Sequence, residues 1–143
     1  MNKREIKKLP IGISTFSEMI NGNAYYVDKS QYVQYLCDSG KYYFLSRPRR
    51  FGKSLFVDTL KCAFEGQQDL FKGLYLENNW DWEDAYPVIC ISFGRGMVED
   101  RAELNHRILR LLSEQAEYHG VTCGQTLVAD RFAELIQTLW TKS

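Results

Sequence analysis

The chain has 143 residues, 45% of them hydrophobic and 25% charged, and its 18 Lys and Arg balance 18 Asp and Glu. That composition excludes a disordered chain and suits one domain with a real core. A formal net charge of zero excludes a protein that holds nucleic acid by its overall field, so any such contact must be local. Residues 1–13 are basic, with Lys3, Arg4, Lys7 and Lys8, and then loop-like, with Pro10 and Gly12. Ser14 or Thr15 is placed to cap a short helix through Ile20, with Glu18 at the capping-box position for Thr15. Asn21-Gly22-Asn23 ends it, and 24–27 is a short β-prone run.

Asp28 reads as the N-cap of a helix holding Tyr32, Val33, Tyr35 and Leu36, stopped by Ser39-Gly40. The continuous aromatic run 41–46 predicts a strand buried on both faces. From Lys53 the spacing of Phe56, Leu60, Ala63 and Phe64 predicts a helix closed by Gly66. Residues 69–76 read as a helical turn and an extended piece, and 78–85 as an acidic polar loop with Trp80 and Trp82. The Val/Ile-rich run 87–93 predicts a second, central parallel strand, broken by Gly94-Arg95-Gly96. Helices follow over about 99–119 (Leu104, Ile108, Leu111, Leu112) and 126–140 (Val128, Phe132, Leu135, Ile136, Leu139), with a turn at 120–124. No internal repeat appears. The order of strands and helices predicts an α/β fold with parallel strands at 41–46 and 87–93 and right-handed crossovers.

Between the first strand and the helix at Lys53 stands Arg47-Pro48-Arg49-Arg50-Phe51-Gly52-Lys53-Ser54-Leu55. It matches the phosphate-binding loop G-x-x-x-x-G-K-[ST] except at Arg47, where that pattern has its first glycine. In this reading Gly52 lets backbone approach a phosphate, and Lys53 reaches its β- and γ-oxygens. Ser54 ligates Mg²⁺, and the N–H groups of residues 50 to 55 form an anion nest at a helix start. The implied ligands are ATP and Mg²⁺. A chance G-K-S at a helix start is the bland alternative. Contact of Arg47, Arg49 and Arg50 with nucleic-acid phosphates is another.

These strings resemble a known family. Tyr26-Val27-Asp28-Lys29-Ser30, Tyr43-Phe44-Leu45, the R-P-R-R-F-G-K-S loop, Leu70-Phe71-Lys72-Gly73-Leu74 and Tyr86-Pro87-Val88-Ile89 follow one another as in the AAA-ATPase-like proteins of bacteria. The resemblance spans about residues 8 to 140 and makes Arg47 a habit of the family. It implies an ATP-binding module whose full chain commonly ends in a restriction-endonuclease-like domain. It further implies that residues 1–143 are the N-terminal portion of the domain, stopping before the Walker B strand. The carboxylates that position magnesium and water are then missing, and hydrolysis is not expected here. On that view the two strands flank a gap, and the chain is marginal alone or cut short. The missing C-terminal part or a protein partner would cover the open sheet.

Other residues are weighed against plain structural roles. Asp28 caps a helix or touches the base or ribose. Arg95 faces phosphates or solvent. His106 and His119 are structural, and Trp80 and Trp82 pack under the acidic loop or form a partner patch. Cys37, Cys62, Cys90 and Cys123 show no C-x-x-C spacing and read as buried thiols. No apolar run spans a bilayer and no h-region follows Met1, so a cytoplasmic protein is expected. An interaction module that kept the loop and lost the enzyme is the rival to ATP binding.

Overall fold

The computed structural model describes residues 6–94 and 98–142. The α/β expectation is overturned: the chain is 51% helix and 1% strand, with no sheet among the described residues. The β structure among the described residues amounts to one parallel bridge, Lys8 with Ala24. Among the described residues five α-helices run in order: α1 Phe16–Asn21, α2 Gln31–Ser39, α3 Lys53–Phe64, α4 Arg101–Tyr118 and α5 Val128–Lys142. Two 3-10 turns, Gln68–Phe71 and Tyr75–Asn78, lie between α3 and α4. The chain divides into two compact units, residues 1–86 and 87–143.

In the first unit the core gathers Phe16, Val33, Cys62, Ala63, Phe71 and Leu76, all buried. The aromatic rings interlock. Phe71 meets Phe16 at 4.8 Å and Trp82 at 5.1 Å between centroids, and Phe64 meets Trp80 edge-on at 5.3 Å. Trp80 and Trp82 therefore pack under the acidic loop, and the Trp82 indole donates to the carbonyls of Leu76 and Glu77. Thr15 is the cap residue of α1, but its side chain bonds Glu18 instead of a helix amide. The first amide of α1 is satisfied from α3, where Asp58 Oδ2 accepts from Phe16 N at 2.6 Å. Burial around Cys62 pushes its thiol up to about 12, so this cysteine is an inert filler of the core. Cys37 and Cys90 are exposed and Cys123 is half-buried, against the expectation of buried thiols.

The expected strand 41–46 is extended chain without a ladder, and Tyr42 and Phe44 are 94% and 93% exposed. The physical reason is pairing. A buried strand needs a neighbour for its N–H and C=O groups, and no described segment lies alongside. The aromatic run mimics a two-sided strand in composition alone.

In the second unit α4 and α5 form a helical hairpin around Leu112, Ala116, Leu135 and Leu139. Asp100 caps α4 by accepting from Glu103 N at 2.7 Å. The expected central strand 87–93 is also not a strand. Ile89 and Ile91 pack on the hairpin core, while Cys90 N donates to Gln115 Oε1 at 2.9 Å and Val88 O bonds the His119 ring at 3.0 Å. Gln115 of α4 and His119 just beyond its end thus satisfy backbone groups that a neighbouring strand would otherwise have taken. With neither segment in a sheet, the expected gap between two strands does not arise, nor does an open sheet for a partner to cover. Arg95, Lys3 and Arg4 lie outside the described residues. No described helix is long and apolar enough to cross a membrane.

Candidate functional site

Residues 42–48 are irregular, 49–50 turn, and α3 begins at Lys53. The sequence-predicted residues Arg47 to Leu55 form one continuous exposed-to-half-buried loop and helix start. Two of them adopt left-handed backbone: Arg50 at φ 66° and Gly52 at φ 76°, with Phe51 between them not in that region. A left-handed arginine costs roughly 1–2 kcal/mol, because Cβ crowds the following carbonyl. Anion-binding nests are built from backbone that alternates in hand, which brings successive N–H groups to one side.

Gly52 occupies the cap position of α3 and cannot cap with a side chain. The first helical bond is Phe56 N to Gly52 O at 2.9 Å. The amides of Lys53, Ser54 and Leu55 precede it and have no acceptor within the helix. The first turn carries no acidic side chain, so the positive end of the helix dipole is not neutralised locally. A Cβ built on Gly52 would meet nothing within 4 Å. The glycine is therefore required by its φ and not by crowding from the protein. Gly52→Ala is expected to cost about 1–2 kcal/mol through backbone strain alone. Urea unfolding followed by circular dichroism checks this.

Lys53 turns back over the loop. Its ammonium donates to Arg47 O at 2.6 Å and Pro48 O at 2.8 Å. The loop's own carbonyls thus hold the charge against the loop. Ser54 is exposed in the first turn of α3. Arg47, Arg49 and Arg50 are exposed around the loop, as is Phe51.

Asp28 is drawn elsewhere. Its Oδ1 accepts from Ser30 N at 2.8 Å and its Oδ2 from Tyr75 N at 2.7 Å. Burial alone would raise its carboxyl, but the hydrogen bonds from Ser30 and Tyr75 outweigh it and hold the group below the usual carboxylate range. With both oxygens engaged, Asp28 ties the start of α2 to the second 3-10 turn. A role toward base or ribose is not where the structure spends this side chain.

A cavity of about 200 Å³ adjoins the helix start, lined among others by Tyr25, Tyr26 and Val27 and by Gly52, Leu55 and Phe56. Reading 24–27 as a bare β-prone run misses it. The available signal was two adjacent tyrosines a short distance before a phosphate-loop string. A more open groove of about 540 Å³ runs along α5 beside Asp130 and Glu134. Its acidic lining repels phosphate. No group of three or more His, Cys, Asp or Glu that could hold a metal gathers among the described residues.

The family model described as "Predicted AAA-ATPase" matches residues 10–143. The chain belongs to this AAA-ATPase-like family. An uncharacterized protein in the vnfD 5' region of Azotobacter chroococcum mcd 1 is 48% identical to it over 132 residues, covering 92% of the chain and 26% of that relative. The chain spans about a quarter of the length of this curated relative. No solved structure matches it.

Proposed function

We propose that the loop Arg47, Pro48, Arg49, Arg50, Phe51, Gly52, Lys53, Ser54 and Leu55 binds the phosphate tail of ATP with Mg²⁺. One observation carries the reading. The start of α3 has no side-chain cap and no acid in its first turn, and Lys53 is folded over the loop beside it. Membership of a family described as predicted AAA-ATPases supports the same ligand.

The residues present fit such a ligand. Amides of the left-handed turn and the first helical turn would receive phosphate oxygens. Lys53 would exchange two carbonyl acceptors for phosphate oxygens of full negative charge, a stronger partner. Ser54 would offer its hydroxyl to Mg²⁺, which bridges phosphate oxygens and lowers their mutual repulsion. The chain is read as the N-terminal portion of a longer nucleotide-binding protein. Hydrolysis, which needs metal and water held by carboxylates, is left to that longer protein.

Calorimetric titration of the 143-residue chain with ATP, with and without Mg²⁺, tests the reading. Magnesium is expected to tighten binding, and Ser54→Ala to abolish most of that gain while leaving magnesium-free binding within about twofold. Ser54 supplies one ligand oxygen worth about 1–2 kcal/mol, or roughly tenfold. Absence of ATP binding at millimolar concentration, or equal binding of Mg·ATP by wild type and the Ser54 variant, would count against the assignment. Binding to DNA that falls steeply with salt, without ATP binding, would hand the loop to nucleic acid through Arg47, Arg49 and Arg50.

A further inference from the structure

We infer that the exposed stretch from Lys41 to Phe51 is a binding surface for single-stranded nucleic acid. Bases stack there on Tyr42 and Phe44, and phosphates meet Lys41, Arg47, Arg49 and Arg50. The inference stands apart from the reading of ATP binding, whose contacts come from the start of α3.

The rings come first. Residues 42–48 run with neither turn nor bend, and all of 41–52 are exposed. Tyr42 and Phe44 are 94% and 93% exposed, whereas Tyr43 between them is 50% exposed and donates its hydroxyl to Leu36 O of α2. Neighbouring side chains of extended backbone point to opposite sides. Tyr43 is thus tied down on the helix, and the ring on either side of it is left bare. Phe51, 64% exposed, adds a third ring beyond the arginines. Scattered single apolar residues are normal on a surface, but several large bare rings in one short stretch mark a site that something covers.

Charge says what covers it. Residues 41–53 hold five cations, Lys41, Arg47, Arg49, Arg50 and Lys53, and no acid. The carbonyls of Arg47 and Pro48 engage Lys53. The other four are exposed, and none of them forms a salt bridge among the described residues. In a chain of zero net charge this is a local field of one sign, and it attracts a polyanion. Bare rings beside cations are the means by which proteins hold single strands: bases stack on the rings, and the cations follow the phosphates. A duplex keeps its base faces against one another and must be opened before it can use the rings. An anionic membrane also suits rings and cations. The backbone of 42–46, however, joins no ladder and would enter the hydrocarbon with its polar groups unsatisfied.

Fluorescence anisotropy on the 143-residue chain tests the inference. The probes are labelled oligothymidine and oligouridine of about twelve nucleotides, within the usual range of single-strand sites, and a duplex of equal length. At least one single strand is expected to bind about tenfold or more tightly than the duplex, and the tighter of the two tells DNA from RNA. With four phosphates neutralised, the logarithm of affinity should fall against that of salt with a slope of about −3, and Arg49→Ala should reduce the slope by about 0.7. Tyr42→Ala and Phe44→Ala are each expected to weaken the strand about tenfold. Both should keep the wild-type circular dichroism and bind Mg·ATP within about twofold of wild type. Failure of both strands to bind below millimolar concentration would overturn the surface, as would a duplex bound equally well. So would aromatic variants that bind like wild type, or that unfold because the rings belong to a core. Binding to vesicles of anionic lipid without binding to either strand would give the stretch to a membrane instead. None of these results touches the ATP titration, which stands or falls separately.

Discussion

Lys53→Ala is expected to weaken ATP binding by about 10- to 100-fold with little change in stability. The ammonium belongs to the first residue of α3 and folds back onto Arg47 O and Pro48 O at the beginning of the loop. Those two bonds are solvent-accessible, so their loss costs the fold little, and alanine is the better helix former. The ligand loses more. Hydrogen bonds to a charged group are worth about 1.5–3 kcal/mol each, and every 1.4 kcal/mol is tenfold in affinity. Arg49→Ala is the matched control. Arg49 is exposed on the turn and reaches neither of those carbonyls, so its removal should cost no more than about threefold through lost long-range attraction. Titration of both variants with Mg·ATP separates the cases. A large loss in the Arg49 variant and none in the Lys53 variant would mean that the arginines, and not the helix start, carry the site.

The helix start at Lys53 was more legible in the sequence than the strands. Gly52-Lys53-Ser54 next to an amphipathic repeat is a local signal, and local signals survive: α3 begins at Lys53 and the loop before it is exposed. The helices around Leu112 and Leu135 were equally readable, since the 3.6-residue period is written within each segment. The two strands were not. A strand is defined by the chain beside it, and a run such as Tyr42-Tyr43-Phe44-Leu45 carries no statement of whether that neighbour exists. At Ile89 and Ile91 the apolar pattern was real, but a pair of helices receives it. Asp28 misled in another way. An acid before a helix reads as a cap, and the long-range bond to Tyr75 N cannot be seen without the fold.

The largest expected effect on stability follows from the same division between local and long-range order. Phe71→Ala is expected to destabilise the first unit by about 3–5 kcal/mol, as removal of a fully buried aromatic ring typically does. Phe71 has no exposed surface and sits between Phe16 of α1 and Trp82 beyond the 3-10 turns. Its short turn, four residues from Gln68, has too few internal bonds to persist alone and is kept by that packing. Small domains are stable by only about 5–15 kcal/mol, so the loss takes a large share of the whole. Trp80 and Trp82 report it directly. Their fluorescence should shift to the red, and the urea midpoint of that signal should fall well below that of wild type. The consequence reaches α3, because Phe16 also packs on Tyr26 at 5.2 Å and, through its amide, bonds Asp58 of that helix. Loosening the ring cluster should therefore also weaken ATP binding, since the proposed phosphate contacts come from the start of α3. A variant that lost stability with no red shift at Trp80 and Trp82 would show that the rings do not form one cooperative core.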